Sequence, residues 1–126
     1  MADDVNWQVE QIPDEDSVYM RADKDILSNG ALQPGVFREH NGGMSVDWDK
    51  YSSPHETRGR AKNPSLNAII EMKVDEIRSI QKLDVAHKPK PENRAHSDVI
   101  GLPTDSEDLT ETRALLLRIS TIVLSL

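Results

Sequence analysis

Asn67-Ala68-Ile69-Ile70-Glu71-Met72-Lys73-Val74 is the stretch that decides the fold. It reads as a central strand, and Val74-Asp75-Glu76-Ile77-Arg78-Ser79-Ile80 reads as one helical turn leaving it. Toward the N-terminus, Met44-Ser45-Val46-Asp47-Trp48 alternates apolar and polar residues, the pattern of a half-buried strand. Ser17 to Arg21 is a short first strand, followed by a short helix over Lys24–Leu27 that Asn29-Gly30 closes. Ala31–Gly35 is a turn, Val36–Arg38 a brief extended piece, and Asn41-Gly42-Gly43 a second turn.

Between the strands, residues 49–65 are rich in Ser, Pro, His and Arg, with a helix start at Ser53-Pro54. Lys50, Arg58, Arg60 and Lys62 make this the one local concentration of positive charge. Toward the C-terminus, Leu83–His87 is extended and Lys88-Pro89-Lys90-Pro91 is a bend that cannot sit inside a strand. Ala95 to Leu102 is the next strand, stopped by Pro103. Thr104 to Glu107 has capping-box spacing. The helix it opens carries Leu109, Leu116, Ile119, Ile122 and Val123 on roughly one face, and the β-branched run Thr121–Leu126 can leave that helix as a final strand. Strands and helices do not alternate regularly, which favours an α+β fold: a small mixed or antiparallel sheet, a few short helices and one longer C-terminal helix.

At 126 residues the chain suits one domain, 17–126, preceded by a partly ordered acidic arm, 1–16, which Trp7, Val9 and Ile12 can tack down. Aromatics are 4% of the chain, so the expected core is Leu, Ile, Val, Met and Ala. A net charge of −7 argues against a general binder of nucleic-acid backbone. The absence of cysteine removes disulfides, thiolate chemistry and cysteine-based metal sites. His40, His55, His87 and His96 lack metal-ligand spacing, so no metal site is expected. No apolar run is long enough for a membrane span, and the acidic start has no signal-peptide core. A soluble, cytoplasmic protein is expected.

Polar residues crowd the mouths of three strands. Pro91-Glu92-Asn93-Arg94-Ala95-His96-Ser97-Asp98 leads into the run ending at Gly101. His96 and Asp98 share a strand face, and a histidine beside a carboxylate serves acid–base chemistry near neutral pH. Asn93 and Arg94 accompany them, Arg94 sharing the face if the strand starts early enough. Tyr19 and Arg21 share a face of the first strand, where an arginine can fork onto a phosphate. Ser45 and Asp47 share a face behind glycines that let a ligand approach the backbone.

In order, the early-strand Arg21, the segment Ile26–Leu32, the Gly-preceded Met44–Asp47 strand and Ile69–Asp75 resemble the layout of small ADP-ribosyltransferase-type domains. The resemblance implies a nucleotide ligand, NAD, held by Arg21 and Ser45, with catalysis directed from the strand entrance at His96. Those transferases usually carry glutamate at that entrance. The first expected function is therefore NAD binding or group transfer, with Arg21 on a pyrophosphate, Ser45 orienting the ribose and His96 with Asp98 as the acid–base pair. A second is a non-catalytic module for a protein partner, its acidic arm steering a basic surface. The third is an RNA- or DNA-processing enzyme using His87, Arg94 and His96, with the basic 58–62 loop gripping phosphate, which the negative charge and the lack of a metal cluster disfavour. Whether Arg21, Ser45 and His96 face one cleft separates the first from the second.

Overall fold

The structure is a computed structural model that describes residues 6–28, 31–39 and 42–126. The Asn29-Gly30 stop, His40, Asn41 and the first five residues lie outside the described residues. The fold is α+β. Strands β1 (Ser17–Asp23), β4 (Met44–Trp48), β5 (Asn67–Lys73), β6 (Asp84–His87), β7 (His96–Ile100) and β8 (Thr121–Leu124) form one sheet in the order β6-β7-β4-β1-β5-β8. Every pairing in it is antiparallel. Strands β2 (Leu27–Ser28) and β3 (Ala31–Leu32) form a separate two-stranded ribbon. Helix α1 covers Pro54–Gly59, α2 covers Val74–Ser79 and α3 covers Ser106–Ile119. No helix among the described residues is long and apolar enough to cross a membrane.

Alternation along the strands sorts the two faces of the sheet. Val18, Met20 and Ala22 of β1, Met44, Val46 and Trp48 of β4, and Ala68, Ile70 and Met72 of β5 enter a single buried cluster. Val74 and Ile77 of α2 and Leu116 of α3 close it. The composition suggested an aliphatic core, yet the two largest fully buried side chains are Trp48 and Phe37. An aromatic ring removes more apolar surface from water than any aliphatic side chain, so even a few can dominate a small core.

Local chemistry accounts for several element ends. Ser53 caps α1, its Oγ accepting from the Glu56 N–H at 3.1 Å, with Pro54 at the first helical position. Asp105, not Thr104, caps α3: its carboxylate accepts from the Asp108 N–H at 3.0 Å. Pro34 opens a single tight helical turn over Pro34–Val36, which continues the expected turn at Pro34-Gly35 by one residue into the expected extended piece. Helix α3 stops at Ile119, and Ile122 and Val123 lie in β8, which pairs with β5, instead of extending the helix face. After β7 the chain turns at Gly101 (φ +93°), where a Cβ would lie 1.9 Å from the Lys82 carbonyl oxygen.

Residues 10–16 of the acidic arm are tied to the domain. Ile12 is buried, and Arg78 grips the arm through the Ile12 carbonyl and the Asp14 carboxylate, at 2.8 and 2.7 Å. Glu10 is the second anchor. Its N–H donates to His87 Nδ1 at 3.0 Å, and its carboxylate accepts from Lys50 Nζ at 2.6 Å and from the Tyr51 hydroxyl. The bonds from Lys50 and Tyr51 hold the Glu10 carboxyl below its usual pKa. A carboxyl whose pKa is depressed by folding stabilises the fold above its unfolded pKa, and that contribution is lost as pH falls through the folded value. Glu10→Gln is therefore expected to lower the urea midpoint near neutrality, with the gap to wild type closing as pH drops to about 3. A gap that persists unchanged at that pH would show that the Glu10 charge does not anchor the arm.

Candidate functional site

Directly paired residues of an antiparallel sheet project from the same face. Tyr19 pairs with Asp47, Asp47 with His96, and Ser45 with Asp98. This register collects Tyr19, Arg21, Ser45, Asp47, His96 and Asp98 on the face opposite the main core. There Tyr19, Arg21, Ser45, Asp47, Asn93 and His96 line a recess of about 80 Å³. Thr57 of α1 forms one wall, and Lys90 of the bend before β7 another. Arg21, Ser45 and His96 thus face a common cleft.

Asp47 is 3% exposed and forms the base of the recess. Its Oδ2 accepts from Thr57 Oγ1 at 2.9 Å and from the Arg60 guanidinium at 2.7 Å. Its Oδ1 accepts from Asn93 Nδ2 at 2.9 Å. The same Arg60 nitrogen reaches Ser52 Oγ at 2.8 Å, which lies 2.8 Å from Thr57 Oγ1. Burial of a carboxylate costs several kcal/mol unless it is paired and hydrogen-bonded, and Asp47 has both. The strand alternation placed Asp47 on the polar face of a half-buried strand. The segment carrying α1 covers it.

His96 stands at the entrance of β7, 11% exposed at the side chain. Its Nδ1 lies 2.9 Å from the Lys88 carbonyl oxygen, which can only accept, so Nδ1 carries the proton. Nε2 then presents its lone pair toward Ser45 Oγ, 3.4 Å away. Asp98 Oδ1 lies 3.8 Å from Nε2, while Asp98 Oδ2 is 3.6 Å from Lys88 Nζ. Gly43 makes room for this carboxylate: a Cβ there would lie 2.9 Å from the Asp98 Cβ. The close approach that a glycine permits at this position is taken up by Asp98.

Arg94 turns away from the recess, because β7 starts only at His96. Its guanidinium lies over Tyr51 and Trp7, with the central carbon 4.0 and 4.6 Å from the ring centroids. His87 is buried and bridges the arm to the bend. Its Nδ1 accepts from Glu10, and its Nε2 therefore donates to the Arg94 carbonyl at 2.7 Å. Both ring nitrogens are occupied, so this histidine has no lone pair for chemistry. Thr57 and Lys90 were not singled out from the sequence as site residues, and Arg60, expected in a basic 58–62 loop gripping phosphate, is paired with Asp47 instead.

The rim of the recess carries positive charge. Arg21 and Lys90 are exposed cations. Burial first, then the Glu71 and Asp49 carboxylates, push the Tyr19 phenol above its usual pKa, so it stays a neutral donor. Asp49 is itself raised, chiefly by burial and further by Asp16 and Glu71. A larger groove of about 430 Å³ lies on another side, between Gln81–Lys82, Gly101–Asp105 and α3. Three carboxylates, Asp105, Asp108 and Glu111, line it beside Lys82, and neither a histidine nor an arginine borders it. Size alone does not make it the functional site. No protein family, curated protein or solved structure matches the chain.

Asp47→Ala strands the donors of Thr57, Asn93 and Arg60 at once. The expected cost is about 3 kcal/mol in the urea unfolding free energy. A cost below about 0.5 kcal/mol, the ordinary surface range, would contradict the role of Asp47 as the base of the site.

Proposed function

We propose that the chain binds a nucleotide of the NAD type and takes part in transferring a group from it. The resemblance of its layout to ADP-ribosyltransferase-type domains first suggested this reading. The observation that carries it is the meeting of Arg21, Ser45 and His96 in one recess. A non-catalytic interaction module does not require three strand mouths to converge on one polar hollow.

The residues suit the phosphate-bearing part of such a ligand. A recess of about 80 Å³ suits one compact anionic group and is far below the ~300 Å³ at which drug-sized ligand sites begin. Arg21 offers a planar fork of donors for phosphate, and Lys90 a point charge beside it. Ser45 meets the adjoining sugar, and the neutral Tyr19 phenol adds a donor. The buried Asp47 carboxylate does not repel the anion, since Arg60 neutralises it. NAD supplies an activated glycosidic bond. His96, with Nδ1 held by Lys88, offers Nε2 for proton transfer, and the Asp98 carboxylate stabilises the imidazolium so formed.

Isothermal titration calorimetry with NAD tests the proposal. Binding at micromolar to millimolar NAD is expected, weakened about tenfold or more by Arg21→Ala, which loses a charge-assisted contact of roughly 1.5–3 kcal/mol. Absence of heat at millimolar NAD, or equal affinity in the Arg21→Ala variant, would overturn it.

A further inference from the structure

The Ser45–His96 pair has the geometry of an activated nucleophile, which goes beyond hydrogen bonding to a sugar. Three parts are needed: a hydroxyl, a base within reach of it, and a third group that orients the base. Ser45 Oγ is the hydroxyl, exposed on β4 at the recess. His96 Nε2 is the base at 3.4 Å, longer than the ~2.6–3.2 Å of a working pair, as catalytic hydrogen bonds often are before substrate tightens them. The Lys88 carbonyl is the orienting group. By accepting from Nδ1 it fixes the one tautomer in which Nε2 can take a proton.

The backbone reinforces this arrangement. Lys88 N–H donates to the His96 carbonyl at 3.0 Å, so the two residues are bonded through both main chain and side chain. Asp98 lies near Nε2, where positive charge appears once the proton has moved. Arg21 and Lys90 border the same recess as the hydroxyl and supply positive charge to it.

We infer that Ser45 is a nucleophile that accepts a phosphoryl group covalently, with His96 as its general base. The phosphoryl class follows from Arg21 and Lys90, two cations matched to the negative charge that builds on non-bridging phosphoryl oxygens. The Oγ–P bond forms as the bond from phosphorus to its leaving group breaks. The serine proton passes to His96 Nε2, and the leaving group departs with the bonding electron pair. The inference rests on the recess assigned above as a phosphate-binding site, but it does not require NAD to be the ligand.

The test uses the full chain and diisopropyl fluorophosphate, whose phosphorus–fluorine bond breaks with release of fluoride. Intact mass spectrometry with peptide mapping is expected to find one adduct per chain, on Ser45, and none at that position in Ser45→Ala. His96→Asn preserves an amide donor where Nδ1 meets the Lys88 carbonyl and removes the base. It is expected to slow labelling at least 100-fold, while circular dichroism confirms that it folds. No adduct on wild type, an adduct scattered over other serines, or unchanged labelling of a folded His96→Asn protein would each overturn the inference. Calorimetry with NAD on the same sample separates the two proposals. NAD binding without labelling sinks the nucleophile alone, and labelling without NAD binding supports the nucleophile and removes the nucleotide reading.

Discussion

The buried carboxylate of Asp47 is the constraint around which the polar face of the sheet is organised. It sits on a central strand, where it must be fully paired or be expelled. Its three partners come from α1, from the turn after α1, and from the bend before β7. One side chain therefore joins three segments that no strand pairing holds together. Lys90 and the Lys88 carbonyl belong to the same bend as Asn93. The orientation of His96 is thus linked to the satisfaction of Asp47, through a bend that carries both.

A second set of contacts supports that bend from behind. His87 links the Glu10 backbone to the Arg94 carbonyl, and the Arg94 guanidinium lies against both Trp7 and Tyr51. The described part of the acidic arm therefore braces the segment that carries the site residues, although none of its described residues lines the recess. Neighbouring residues of this segment face opposite ways: Asn93 reaches the recess and Arg94 the aromatic rings. A bend placed between two such anchors has little freedom to swing Lys88 away from His96.

How far the fold and site could be read from the sequence depends on the range of the interaction involved. Period-two alternation is local, so the shared faces of Tyr19 with Arg21, Ser45 with Asp47 and His96 with Asp98 were readable directly. Of the strand limits, those of β4 are the ones expected, whereas β1 runs two residues past Arg21 and β7 is confined to His96–Ile100. The register that sets Asp47 between Tyr19 and His96 is non-local, and no pattern within one strand encodes it. The burial of Asp47 depends on α1 folding over it, and the turning of Arg94 depends on aromatic rings over 40 residues away in sequence. Thr57 and Arg60 lie in a loop whose composition showed charge but not direction. Asp105 displaced Thr104 as the cap of α3 because a carboxylate one residue later met the free helix N–H groups.

The central claim is that one recess, founded on Asp47, receives a phosphate-bearing ligand between Arg21, Lys90, Ser45 and His96. A crystal structure of the protein grown with millimolar NAD tests this most directly. The account predicts density for a phosphate group in contact with Arg21 and Lys90, with Ser45 and His96 at its edge and Asp47 still bound by Thr57, Asn93 and Arg60. A ligand seated only in the groove beside α3, or a recess without ligand in crystals that bind NAD elsewhere, would contradict it.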